Sequence, residues 1–187
     1  MLRWICIFAA LSLSACGPRN DVDVAHDCVR SATHEASWSR TDAPDMITAS
    51  SQGATCAHAT ASLTITDASG AALWSFSTTY YDLAIGGPTP EDAPEVSTDQ
   101  MDAFLRAWAD VTISRTGALP QWRSDAATLT ESATVFTYQT SLEREAYEAL
   151  RQRDLTTLCY AAAVEATQCL IMDPVSRAPT LIVAYGP

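Results

Sequence analysis

Residues 59–66 alternate without a break. Ala59, Ala61, Leu63 and Ile65 fall on one side of an extended chain, and Thr60, Ser62, Thr64 and Thr66 fall on the other. Strict period two is the signature of a strand with one face in a core and one in water. Asp67-Ala68-Ser69-Gly70 follows, with Asp at the first and Gly at the last position of a type I turn. Ala72, Trp74, Phe76, Thr78 and Tyr80 then resume the same period. The stretch therefore reads as a β-hairpin. Its apolar face has to be covered by another layer.

The C-terminal third is also β. Residues 157–163 and 167–172 flank a tight turn at Val164 to Ala166, and Asp173-Pro174 breaks the run. Residues 180–185 (TLIVAY) form a short apolar strand placed inside the sheet. A short strand is also expected at Thr134 to Tyr138.

Two helices lie between the β segments. Ser97 and Gln100 make a capping box, and Asp99 sits in the first turn, where the helix dipole favours negative charge. Met101, Phe104, Leu105, Trp108, Val111 and Thr112 follow at helical spacing, so the helix should run to about Arg115 and Gly117. Met101 and Trp108 on that stripe, and Trp74 on the hairpin, read as core. Thr140 and Glu143 suggest a second capping box, with Leu142, Ala146, Tyr147 and Leu150 turned inward. Glu143, Glu145 and Glu148 then fall on a solvated face. The Pro-, Gly- and acid-rich run at residues 86–96 (GGPTPEDAPEV) is a loop, either a connector or a lid. The expected class is α+β: an antiparallel sheet of about five strands with two amphipathic helices on one face.

The first sixteen residues carry a different message. Arg3 gives a basic start, Trp4 to Leu13 an apolar run, and Ala15 a small residue before Cys16. These are the parts of a secretory signal peptide. The apolar run falls short of the roughly 20 residues a membrane span needs. Leu13-Ser14-Ala15-Cys16 resembles the lipobox of bacterial lipoproteins. The resemblance implies lipid on the Cys16 sulfur, cleavage before Cys16 and acylation of the new amino terminus. Several acyl chains on one residue hold firmly, at about 0.8 kcal/mol per buried CH₂. Residue 17 is Gly, not the Asp that implies inner-membrane retention in this class, which favours the outer membrane facing the periplasm. The chain thus divides into a signal peptide (1–15), a lipidated tether (16–27) and one globular domain (28–187). Extended, the tether spans at most about 40 Å.

Cysteine usage fits that address. Cys6 leaves with the leader and Cys16 carries lipid, so Cys28, Cys56, Cys159 and Cys169 remain. Four Cys in an oxidising compartment read as two disulfides. Neighbouring segments would be joined by Cys28–Cys56 and Cys159–Cys169, the second crossing the C-terminal hairpin symmetrically about residue 164. Each closure contributes roughly 3 kcal/mol in the chain-entropy account. The competing use is a zinc site drawn from His26, Cys28, His34, Cys56 and His58. It needs free thiolates, which an oxidising compartment disfavours.

The basic residues are eleven Arg, with no Lys, against twenty-two Asp and Glu. Loss of Arg3 with the leader takes the net charge from −11 to −12. Nucleic acid is excluded as a partner, because phosphate binding needs clustered cations. The same charge excludes an electrostatic hold on anionic lipid, so lipid on Cys16 has to supply the membrane attachment.

No spacing with a built-in mechanism is present. The chain lacks phosphate-binding Gly loops, HExxH, CxxC, CxxCH and GxSxG. Asp21-Val22-Asp23 starts like a calcium loop but lacks the Gly and Glu that complete one. Nothing calls for a cofactor. Trp38 and Trp122 lie in irregular segments and are the candidates for an exposed contact. The reading is a non-catalytic envelope module that binds a protein or glycan. Its rival is a periplasmic hydrolase whose site is assembled from distant residues. A deep pocket with converging His and carboxylates would favour the hydrolase; a shallow surface with an aromatic patch would favour binding.

Overall fold

The alternation at residues 59–66 builds the middle of a four-stranded meander. In the computed structural model, which describes residues 27–40 and 42–187, β1 (Arg30–Ala36), β2 (Asp45–Gln52), β3 (Thr60–Thr66) and β4 (Ala72–Thr79) pair antiparallel in that order. Ala61, Leu63 and Ile65 are buried, as the period demands. The turn forms as expected: Gly70 N–H donates to Asp67 O at 2.8 Å, and Gly70 takes φ +84°. Asp67 Oδ1 also accepts from Ser69 N, Ser69 Oγ and Ala71 N.

A second antiparallel sheet is formed by β5 (Thr112–Arg115), β6 (Thr137–Gln139), β7 (Thr156–Ala163), β8 (Ala166–Met172) and β9 (Pro179–Gly186), in spatial order β5-β7-β8-β9-β6. The chain is α+β. Its strands divide between two sheets because β1 and β2 add an N-terminal half that sequence periodicity barely marks. The inward side of β1 carries nothing larger than Ala among its apolar residues, and β2 turns Asp45 and Ser51 inward beside Ile47 and Ala49.

The second sheet is buried on both faces. Leu158, Tyr160 and Leu170 join Ile47, Leu63 and Ile65 of the first sheet in one core. Cys159, Cys169, Ile171 and Val183 point the other way and close a second core with Leu129 and Tyr147. The helices follow this division. Helix α1 (Tyr80–Ala84) is short and ends the first meander. Helix α2 (Thr98–Ala109) packs on β1 and β2, burying Met101, Leu105 and Trp108. Helices α3 (Leu129–Ser132) and α4 (Arg144–Gln152) serve the second core through Leu129 and Tyr147. The two long helices therefore cover different cores.

The capping box of α2 is present in both directions: Ser97 N donates to Gln100 Oε1 at 2.9 Å, and Gln100 N donates to Ser97 Oγ at 3.2 Å. The helix stops at Ala109, short of Arg115. The β-branched run Val111-Thr112-Ile113 leads into β5, which pairs with β7 from Thr112↔Cys159 to Arg115↔Thr156. Helix α4 starts at Arg144 with no side-chain cap. The expected Thr140–Glu143 box does not form because Thr140 lies three residues ahead of the helix cap at Glu143; its Oγ1 accepts from Leu142 N at 3.2 Å and donates to Ile182 O at 2.7 Å, tying the helix entry to β9. Among the described residues, no helix is long and apolar enough to cross a membrane.

Both expected disulfides are formed. Cys28–Cys56 joins the start of the domain to the β2–β3 connection, with Cα atoms 4.9 Å apart. Cys159 and Cys169 are direct partners in the β7–β8 ladder, with Cα atoms 4.0 Å apart. The turn between those strands places Glu165 at φ +59°.

Candidate binding surface

Strand β6 has only three residues, and the Val135-Phe136 pair just before it has nowhere to hide. Val135 is 76% exposed and Phe136 41%. Phe136 packs against two tyrosines that are opposed in the β6–β9 ladder, Tyr138 and Tyr185. The centroids form a triangle: 5.2 Å between the tyrosines, 5.5 Å from Phe136 to Tyr185 and 6.2 Å from Phe136 to Tyr138. Such offset and edge contacts are the favoured aromatic arrangements. Burial raises the Tyr138 hydroxyl pKa, and neighbouring Tyr185 adds to the shift. Both rings keep one side in the second core and the other at the surface.

The cluster is held firmly. Thr128 Oγ1 caps α3 by accepting from Glu131 N at 3.3 Å. Thr130 Oγ1, in that helix, donates to the Tyr138 carbonyl. The register continues Tyr138–Tyr185–Thr167–Ala161 across β6, β9, β8 and β7. Tyr185 and Thr167 line an open depression of about 380 Å³ whose far side includes Phe104, Trp108 and Thr112. Tyr185 also borders a second one of about 220 Å³ with Gln139 and Gln168. Asp110 is the one charged side chain lining either. Aromatic faces, hydroxyls and amides thus meet on a nearly uncharged strip of an acidic protein.

The tryptophans singled out from sequence lie elsewhere. Trp38 is only 5% exposed. It is buried because Asp45 pulls its loop inward: the Asp45 carboxylate accepts from Trp38 N at 3.0 Å, from Ser39 N at 2.7 Å and from the Ser39 hydroxyl. Trp122 is half-buried against Tyr147, with ring centroids 6.0 Å apart, and its Nε1 donates to Ala126 O. Neither is a free surface contact. Val135, Phe136, Tyr138 and Tyr185 replace them. The signal for that patch was an aromatic-rich run leading into a strand too short to bury both its sides.

Glu148 also departs from its expected solvated face. Its side chain is 15% exposed, accepts from Trp122 N at 2.6 Å and pairs with Arg151 at 3.0 Å. Glu143 and Glu145 are exposed. Tyr147, fully buried beside this pair, donates to Pro120 O at 2.9 Å, and burial pushes its hydroxyl pKa well up.

Cys28 and Cys56 are bonded to each other, so neither offers a thiolate. His34 Nε2 lies 3.6 Å from Asp110 Oδ1 on an exposed flank. His58 Nε2 sits 3.1 Å from the Pro90 carbonyl, and its Nδ1 sits 3.0 Å from Thr55 Oγ1. The carbonyl can only accept, so in the neutral ring Nε2 carries the proton and Nδ1 accepts from Thr55. The acid-rich loop is thereby tied to the Cys56 turn. Neither histidine lines the depressions around Tyr185. Among the described residues no cluster of three or more His, Cys, Asp or Glu could hold a metal. Cys16, His26, the leader and the tether up to residue 26 lie outside the described residues. No family model, curated protein or solved structure matches this chain.

Proposed function

We propose that this chain is a lipid-anchored cell-envelope protein that binds and does not catalyse, with the Phe136–Tyr138–Tyr185 cluster as its contact surface. The observation that carries the reading is that solvent-facing cluster, held by α3 and the β6–β9 ladder, beside depressions lined by Thr167, Gln139 and Gln168. Ring faces stack on the apolar faces of sugar rings, and neutral hydroxyl and amide groups hydrogen-bond sugar hydroxyls. A glycan of the envelope is therefore the partner this surface suits best. The lipobox residues Leu13 to Cys16 support the anchor, through lipid on Cys16 in the outer membrane facing the periplasm.

The two halves of the reading are tested separately. Acyl-chain labelling should mark the wild-type chain and leave Cys16→Ala unmarked; label on both, or on neither, removes the anchor. Purified full chain should be retained by insoluble cell-wall glycan, and Tyr185→Ala should not. Release of soluble sugar fragments would replace binding with hydrolysis. Retention by an envelope protein and not by glycan would keep the module and change its partner.

A further inference from the structure

Gln168 of β8 and Tyr160 of β7 are direct partners in their ladder. Tyr160 Oη accepts from Trp74 Nε1 at 3.1 Å and donates to Gln168 Oε1 at 2.7 Å. The direction of this relay is forced. An indole N–H can only donate, so the phenol oxygen accepts there and its own hydrogen goes to Gln168. The amide atom that receives it has to be the acceptor, Oε1, which leaves Nε2 with two N–H groups to give. Tyr160 is 2% exposed, and burial raises its pKa, so the phenol keeps that hydrogen at neutral pH. Among the described residues, the buried side-chain atoms without a partner are Trp38 Nε1, Thr89 Oγ1 and Thr157 Oγ1. Gln168 Nε2 also has no partner there and is not one of them, so it opens to solvent.

Gln168 lines the smaller depression beside Tyr185, about 220 Å³. Pockets that enclose a whole small ligand run to roughly 300–1,000 Å³. This one suits a single substituent of a ligand held mainly elsewhere. Ala162, Ala166 and Ala184 line it with Gln168 and offer methyl contact without a polar side-chain atom. The complementary group is small and carries both a methyl and a carbonyl oxygen. A carboxylate would also accept from Nε2, but no charged side chain lines the depression and the chain carries a net charge of −11, so an anion gains no countercharge there. A hydroxyl would accept as well and leave the alanines uncovered.

We infer that this depression is a subsite for the acetamido group of an N-acetylated sugar, with Gln168 Nε2 donating to the acetamido carbonyl and the alanines meeting its methyl. The inference rests on the glycan reading above and narrows it from sugars at large to N-acetylated ones. Tyr185 links the two parts, because it borders the depression and belongs to the aromatic cluster on which a sugar ring stacks. Gln168 is the specificity-determining residue, and Tyr160 is a positioning residue that acts through it.

The test compares two neutral ligands on the full chain in detergent: a β-1,4-linked oligomer of N-acetylglucosamine and the glucose oligomer of the same length and linkage. The wild-type chain should bind the N-acetylated oligomer about three- to tenfold more tightly, the range expected for one hydrogen bond. Gln168→Glu keeps an acceptor for Tyr160 Oη and replaces the outward N–H groups with an oxygen, so the ratio of affinities should fall to about one, with circular dichroism checking the fold. On the wild-type chain, the Gln168 side-chain amide signals in the NMR spectrum should shift with the N-acetylated oligomer and stay in place with the glucose oligomer. Equal affinities for the two oligomers, with both lost in Tyr185→Ala, overturn this inference and leave the glycan reading standing. A preference that survives Gln168→Glu, or Gln168 amide signals that ignore the N-acetylated oligomer, also overturns it. Binding of neither oligomer overturns the glycan reading and this inference with it.

Discussion

Tyr138 and Tyr185 stand opposite each other in the β6–β9 ladder, ring centroids 5.2 Å apart and planes inclined by 33°. Phe136 completes the cluster from outside the ladder. The pair belongs at once to the second core and to the surface, so its removal should separate binding from folding only in part. Phe136→Ala is the cleaner probe. It deletes a ring that is 41% exposed and its two tyrosine contacts, and should cost about 1–3 kcal/mol of stability, while weakening glycan retention at least as much as loss of one stacking partner, about 0.5–1.5 kcal/mol. Denaturant unfolding and binding measured on the same preparation check both halves.

Tyr147 gives the opposite outcome. It is fully buried in the second core and donates to Pro120 O. Tyr147→Ala should cost about 3–5 kcal/mol, as for other large aromatic truncations. Glycan retention per folded molecule should stay close to wild type, since the ring does not reach the surface. A shift in urea midpoint with an unchanged slope is the expected readout.

The disulfides should differ in a definite order. Cys28–Cys56 closes a sequence separation of 28 and Cys159–Cys169 one of 10. Loop entropy makes the first worth about 3.6 kcal/mol and the second about 2.8 kcal/mol. Paired Cys→Ala variants, compared by chemical denaturation, should rank in that order.

Asp45 is 1% exposed and accepts two backbone N–H groups and a hydroxyl from Trp38 and Ser39. Asp45→Ala strands those donors in a buried corner and should destabilise by about 2–4 kcal/mol. Trp38 should then become accessible, seen as a red shift in its fluorescence and faster quenching.

Acid should weaken the fold through a few identifiable carboxylates. Asp67 lies below its ordinary value of 3.8 chiefly through the Ser69 hydroxyl, then the Ala71 N–H. Asp102 is lowered by the Arg30 guanidinium, and Asp173 by the N–H groups of Ser176 and Val175. A lowered native pKa means the stabilisation is present above the unfolded carboxylate value and is lost as pH falls through the lowered ones. The unfolding midpoint should therefore drop as pH descends below about 4. Asp67→Asn should shrink that drop and leave a lower midpoint at neutral pH.

Strong local signals carried the parts of the fold that were legible in advance. The hairpin around Asp67–Gly70, the Ser97–Gln100 capping box and the Cys159↔Cys169 pairing each depend on residues near one another in sequence. What escaped depends on distant partners. β5 reads as a helix until β7 lies beside Thr112 to Arg115. Thr140 reads as a cap until the helix starts at Arg144 and its hydroxyl serves Leu142 N and Ile182 O instead. Trp38 reads as exposed until Asp45, seven residues on, draws its loop into the core. The candidate surface was illegible for a related reason. Phe136 is exposed only because β6 ends the sheet, and sheet order is a tertiary fact.

The most direct test follows the aromatic side-chain signals of the full chain in detergent by NMR, as a soluble fragment of cell-wall glycan is added. The account predicts saturable shifts at Phe136, Tyr138 and Tyr185, absent in Tyr185→Ala, with the glycan recovered intact. Shifts confined to other residues, no shift at saturating glycan, or a cleaved glycan would contradict it.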